Sequence, residues 1–330
     1  MTQRMINFLS AANRPPIPLA APILGLYVLI GWFVAPAFLS VTNLISIFFS
    51  AAILLPAVLG MQLLLVLGRF DLSVGATASL AGMVTGLALL RFNSPILAIS
   101  LGLLGGAAAG LLMGKLVTSL RIDPLVATLA GMGVIRSLAL AINDGRIVAG
   151  LPGEFGWIVE ARVQEVPLLL PLALVFTAGL ALSVAHLVPF RRFYAVGSNY
   201  TAAVHMGLNV GRIIRAGYVL AGIGAASAGV LQTSRTLSAS PLQFSALAVE
   251  VIAACLIGGG TLGGGRGTVW GAALGMVVVS ATTNLVSILG ISVFWKDFAV
   301  GLLLLVAVLG GPVLTIAREK IFASANHKQT

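Results

Sequence analysis

A glycine-rich stretch, GGGTLGGGRGT at residues 258–268, ends in a basic residue and a hydroxyl, the side-chain types that cradle phosphates. A phosphate loop requires G-x-x-x-x-G-K-[ST] between a strand and a helix, because its lysine reaches the phosphates and its hydroxyl ligates magnesium. Gly260 and Gly265 have that spacing, but Arg266 and Gly267 follow them, and apolar runs lie on both sides. The stretch therefore reads as a tight turn, and any ATP chemistry belongs to another chain. His186, His205 and His327 are scattered and Cys255 is the single cysteine, which leaves no metal cluster, no intrachain disulfide and no expected cofactor. No nucleophile–base pair stands out in the polar segments, so an integral-membrane enzyme is the least supported class and no catalytic residue is named.

The remaining chemistry-bearing side chains sit inside apolar runs or at their edges. An ionisable group in hydrocarbon costs roughly 2.5–3.5 kcal/mol on insertion scales unless it is paired or wet. Glu250 is the deepest such group, with a pathway role and an interfacial ion-pair or capping role equally open. Arg136 could bond solute hydroxyls or snorkel outward. Asp71, at the polar break GRFDLS (68–73), could cap the helix that starts near Leu72 or contact solute. Thr128, Gln62, Asn143 and Asn284 could offer neutral polar groups to a pathway or be satisfied by neighbouring helices.

The elements that must position these groups are membrane helices. The chain of 330 residues is 59% hydrophobic and 8% charged, where a soluble domain carries about 25% charged residues. Apolar runs fall at about 19–39, 42–66, 74–90, 95–118, 124–142, 167–189, 213–232, 244–262, 268–289 and 297–316, each near the ~20 residues that cross a bilayer as a helix. The expectation is an all-α polytopic membrane protein of about ten transmembrane helices, with the break at 68–73 either a loop or re-entrant. Residues 1–18 read as a cytoplasmic lead, 19–316 as the transmembrane domain and 317–330 as a cytoplasmic tail.

With the N-terminus inside, the inner loops hold Arg4, Arg14, Arg69, Lys115, Arg121, Arg191, Arg192, Arg212, Arg266, Arg318, Lys320 and Lys328. The outer loops hold only Arg91, Arg146, Arg162, Arg235 and Lys296, so the positive-inside bias places both termini in the cytoplasm. The net charge of +10 forms no dense basic run, which excludes a nucleic-acid partner as the reading of that charge. GRFDLSVGATASLAGMV (68–84) and GGGRGTVWGAALGMVVV (263–279) share a glycine-rich break before a small-residue helix, a faint internal repeat of the kind that borders transport paths.

The longest inner loop, PFRRFYAVGSNYTAAVHMGLNVGRII from Pro189, holds a short helix of small residues between Asn199 and the Gly207-Leu208-Asn209 turn. Arginines beside it suit anionic lipid headgroups, but exposed alanines make a poor lipid anchor and a good knob for a protein groove. Within this loop NYTAAVHMG (199–207) resembles the Ala-Ala-x-x-x-Gly coupling loop of ABC-importer permeases. The ribose-type branch of monosaccharide permeases is also similar at GRFDLSVGA (68–76), DPLVATLAGMGVIRSLAL (123–140), YAVGSNYTAAVHMGLNVGRI (194–213), VEVIAACLIGGGTLGGGRGTVWGAALG (249–275) and SVFW (292–295).

That resemblance implies a bacterial inner-membrane permease subunit, not an enzyme, that translocates a monosaccharide such as a ribose-like pentose. It implies an ABC ATPase subunit, a periplasmic sugar-binding protein and a second permease subunit, identical or paralogous, as partners within membrane lipid. The coupling loop, 190–212, would dock the ATPase through Asn199, Thr201, Ala202, Ala203, Gly207, Asn209 and Arg212, and Asp71, Thr128, Arg136 and Glu250 are the pathway candidates. The chain departs from the family pattern at Thr201, where a glutamate often precedes the paired alanines, and at Arg69-Phe70, where Gly-Ile is usual before Asp71. The alternative is an ion-coupled secondary transporter, whose coupling site would have to use Glu250 or Asp71.

Overall fold

Most of the long helices begin where a side chain can accept the first free amides, and several have proline in their first turn. The computed structural model describes residues 20–292 and 294–309. The lead at 1–18, the tail at 317–330 and Val293 of the SVFW segment lie outside the described residues, as do the basic residues of both termini. Helix α1 spans Ala20–Phe33 and is followed by a 3-10 turn, Pro36–Leu39. Ser40 then caps α2 (Val41–Val66) by accepting the Asn43 amide. Helix α3 covers Val74–Phe92, and Ser94 with Pro95 opens α4 (Pro95–Thr118). Asp123 with Pro124 opens α5 (Pro124–Ala141), its carboxylate accepting the Leu125 amide at 2.8 Å. Such a cap stabilises a helix by about 1 kcal/mol, and proline is at home where the amide has no intrahelical partner.

The segment after α5 contains a 3-10 turn (Gly153–Gly156), the single-turn α6 (Trp157–Glu160) and a hairpin of two-residue strands, β1 (Arg162–Val163) with β2 (Val166–Pro167). Helix α7 is Leu169–His186, and α8 (Val188–Ser198) and α9 (Tyr200–His205) form an elbow. Helix α10 runs Val210–Thr236, α11 only Leu247–Ile257, and α12 Val269–Ile288. A last helix, α13, occupies the described residues 295–309. Seven of these helices (α2, α3, α4, α5, α7, α10 and α12) are long and apolar enough to cross a membrane, while α1 and α11 are shorter apolar helices.

Helix α10 is the hub, packed against α4, α2 and α3. Gly102, Gly106, Gly110 and Gly114 of α4 recur every four residues and form one face. A Cβ at Gly106 would collide with Ala226 and the Gly222 carbonyl oxygen, and one at Gly110 with the Tyr218 carbonyl oxygen. Small residues allow this backbone approach where lipid removes the hydrophobic drive between helices.

The run at 244–262 is not one continuous helix. Helix α11 has 11 residues, about 16 Å of axis against a ~30 Å hydrocarbon core. Before it, Ala239 bridges to Val148, and the Phe244 amide donates to Ser79 Oγ at 3.3 Å inside the first turns of α3. Non-helical backbone buried this way is tolerated because protein surrounds it. The break at 67–73 is similarly enclosed. Tyr218, eight residues into α10, donates to the Phe70 carbonyl at 3.2 Å, about 12 Å along the helix axis. The two glycine-rich breaks of the faint repeat touch, since a Cβ at Gly264 would come within 2.8 Å of Gly68.

Candidate functional site

The α8–α9 elbow is built by three asparagine- and glycine-based devices. Asn199 is extended, ends α8, and its Oδ1 accepts the Ala202 amide at 2.9 Å to start α9. Gly207, at φ +75°, ends α9 in the left-handed region, where a side chain is strained. Its amide donates to Val204 at 2.9 Å, and the Leu208 amide donates to Ala203 at 3.1 Å. Asn209 Oδ1 then accepts the Arg212 amide at 3.1 Å and opens α10.

The elbow has an inner and an outer face. Ala203 is fully buried, Ala202 half-buried, and Thr201, Asn209 and Arg212 are exposed. Apolar side chains project outward on the same turn: Tyr200 is 54% exposed, Val204 48% and Met206 66%. Beneath them α8 seats on the membrane helices through buried Phe193 and Val196. Tyr194 donates to the Gly267 carbonyl at 2.8 Å. Burial pushes the Tyr194 phenol up, so it remains a donor at neutral pH. Its contact across 73 residues of sequence had no local signal in the chain.

The pathway candidates are distributed along the molecule. Asp71 is buried, and its Oδ1 accepts the Ser73 amide at 2.7 Å and the Ser73 hydroxyl at 2.6 Å, which fixes the turn leading into α3 without capping the helix's own first amides. Thr128 is buried and its hydroxyl donates to the Pro124 carbonyl of its own helix at 2.8 Å. Arg136 is exposed on α5 and borders a small cleft with Leu72, Ser79, Phe244 and Ser245. Glu250, in the first turn of α11, borders an open cavity of about 250 Å³ with Ser245, Asp297 and Val300. Ser245 lines both spaces, so Arg136 and Glu250 flank one segment, 244–250, while Thr128 lines neither.

Ser245 and Asp297 were not expected from the sequence, because the run around Ser245 read as helix and Asp297 as the start of another. Asn284 and Asn43 exchange side-chain amide bonds at 3.0 and 2.9 Å, and Asn143 donates to the Arg146 carbonyl, so both are structural. Among the described residues no group of His, Cys, Asp and Glu could hold a metal ion.

Comparison with known proteins supplies the family. The model of the permease component of branched-chain amino acid transport systems matches residues 43–308. The ribose import permease protein RbsC of Bacillus subtilis (strain 168) is 35% identical over 292 residues, 87% of this chain and 91% of that protein. The autoinducer 2 import system permease protein LsrC of Enterobacter sp. (strain 638) is 35% identical over 87% of this chain and 85% of its own length. A probable ABC transporter permease protein, y4mJ of Sinorhizobium fredii, is 34% identical over 91% and 90%. No solved structure matches the chain. With a helical membrane architecture and a family match over most of its length, the chain belongs to the family of transport-system permease components typified by the branched-chain amino acid permeases.

Proposed function

We propose that this chain is the membrane-spanning permease subunit of a bacterial ABC importer, and that its solute is a monosaccharide or a similar small polyhydroxylated molecule. The family description names branched-chain amino acids, whereas the relatives named for a solute import ribose or autoinducer 2. The sugar reading follows those relatives. A periplasmic binding protein delivers the solute, a separate ATPase supplies direction, and a second permease subunit completes the path in the inner membrane. Ten spans with both termini cytoplasmic fit the lysine and arginine distribution. They also accommodate α11 as a shorter crossing preceded by the non-helical segment 241–246.

The observation that carries the reading is the α8–α9 elbow, with Ala203 anchored inside and Tyr200, Val204 and Met206 presented outside. The exposed apolar tip suits a groove on an ATPase, with Thr201 and Arg212 at its rim supplying neutral and charged hydrogen bonds. Movement of that groove then shifts the permease between two conformations, which is the permease's whole contribution. Arg136 and Glu250 are the solute-path groups, because both border spaces around the non-helical segment 244–246 rather than packed helix.

Docking is tested by co-purifying the cognate ATPase with the parent chain and with Met206→Asp. The parent is expected to retain the ATPase and the variant to lose it by at least tenfold, about 1.4 kcal/mol. Equal recovery would show that the elbow is not the dock.

A further inference from the structure

The glycine-rich stretch 258–268 is more than a turn between α11 and α12. It touches two other parts of the chain, the end of α2 and helix α8. The Gly265 amide donates to the Val66 carbonyl at the end of α2 at 2.8 Å. A Cβ at Gly197 of α8 would collide with that same Val66 oxygen and lie 2.8 Å from the Gly265 nitrogen. The Gly267 carbonyl accepts Tyr194 of α8. Gly259, Gly264, Gly265 and Gly267 all have positive φ, from +71° to +126°, so the loop can change path at low conformational cost.

One side chain in this region is unexplained by the state described. Gln62 of α2 is 2% exposed and reaches between Gly260 and Gly267. A Cβ at Gly260 would lie 2.9 Å from its Oε1, and one at Gly267 would collide with its Nε2. Neither amide atom has a hydrogen-bond partner among the described residues. A buried amide without partners is costly, and an apolar group of the same shape would be better tolerated in this conformation. Its neighbours are backbone peptide groups of a loop rich in positive-φ glycines, the partners it would gain if the loop shifted.

We infer that loop 258–268 is the joint through which motion of the α8–α9 elbow enters the membrane core, with Tyr194 its link to α8 and Gln62 the side chain that bonds the loop's backbone in the other conformation. The inference rests on the reading of the elbow as an ATPase dock. Gln62 and Tyr194 are positioning residues: they set the balance between two states and touch no solute. Gln62→Met removes the stabilisation of the second state and relieves the cost in the first, so it shifts the population toward the state described.

The test uses the full chain in nanodiscs with its cognate ATPase, comparing the parent, Gln62→Met, Tyr194→Phe and the double variant. Three quantities are read: co-purified ATPase, the thermal midpoint of the permease alone, and ATP turnover of the complex. Gln62→Met is expected to keep the ATPase, raise the midpoint and slow turnover about tenfold. Tyr194→Phe is expected to keep the ATPase and slow turnover several-fold, and the double variant to be no slower than Gln62→Met, because both act on one joint. Parental turnover in either single variant overturns the inference, as does a lowered or unchanged midpoint in Gln62→Met, or additive slowing in the double variant. Failure of the parent to retain the ATPase would instead overturn the reading of the elbow, whatever the variants do.

Discussion

Gly207 and Asp71 show how differently single residues matter in this chain. Gly207 has open space around it, so its role is set by its φ of +75° and not by crowding. A non-glycine residue there costs about 1 kcal/mol or more in backbone strain. Gly207→Ala is therefore expected to leave the chain inserted and folded while loosening the end of α9, with ATPase co-purification reduced several-fold. Asp71 works through its carboxylate on the Ser73 amide and hydroxyl. Asp71→Asn keeps a carbonyl acceptor in place, whereas Asp71→Ala leaves the buried Ser73 amide and hydroxyl without this acceptor, at a cost of about 1–3 kcal/mol. Melting in detergent should give midpoints in the order parent, Asn, Ala. Both residues were marked in the sequence by type and neighbours, Asp before Leu-Ser and Gly before Leu-Asn. The partners of Gln62 and Tyr194 were not, because a contact between distant segments leaves no trace in local spacing.

At the scale of elements, the starts of the apolar runs at 95 and 124 were the most legible feature and depth in the membrane the least. Ser94-Pro95 and Asp123-Pro124 announce α4 and α5 to the residue. The run 244–262 was read as one helical span because hydropathy does not distinguish a buried helix from a buried turn. The Pro-Leu-Gln-Phe-Ser stretch that breaks it is stabilised from outside itself, by Ser79 and the close seat at Gly75, where a Cβ would collide with the Phe244 carbonyl oxygen. Packing between elements also discriminates among glycines that look alike in sequence. Gly105 meets nothing within 4 Å, while its neighbour Gly106 lies against Gly222 and Ala226 of α10. Gly105→Val should therefore express and melt like the parent. Gly106→Val should overpack the α4–α10 seam by about 1–3 kcal/mol, lowering the midpoint and increasing protease cleavage of the inserted protein.

For the whole molecule, the proposed function has force enter at the α8–α9 elbow and solute cross beside the broken segment before α11. Arg136 reports on that path: it is exposed in the interior of α5, twelve residues beyond Pro124, about 18 Å along the axis. A charged group there is accommodated if that face is wet, so Arg136→Cys should react with a membrane-impermeant maleimide in the assembled complex, over a low background because Cys255 is buried. A face turned to lipid would leave it unlabelled. The fold class and the family were legible because composition and several spaced motifs each carried them; the solute was not, because the groups around segment 244–250 come from three separated parts of the chain and are assembled only by folding. The most direct measurement is uptake of labelled ribose and other pentoses and hexoses into proteoliposomes that contain this chain, its cognate ATPase and its binding protein, with Gly207→Asp beside the parent. The account predicts uptake that requires ATP and the binding protein and falls at least tenfold in Gly207→Asp at equal insertion, a loss of about 1.4 kcal/mol in coupling. Uptake by the chain alone, driven by an ion gradient and indifferent to ATP, would contradict it.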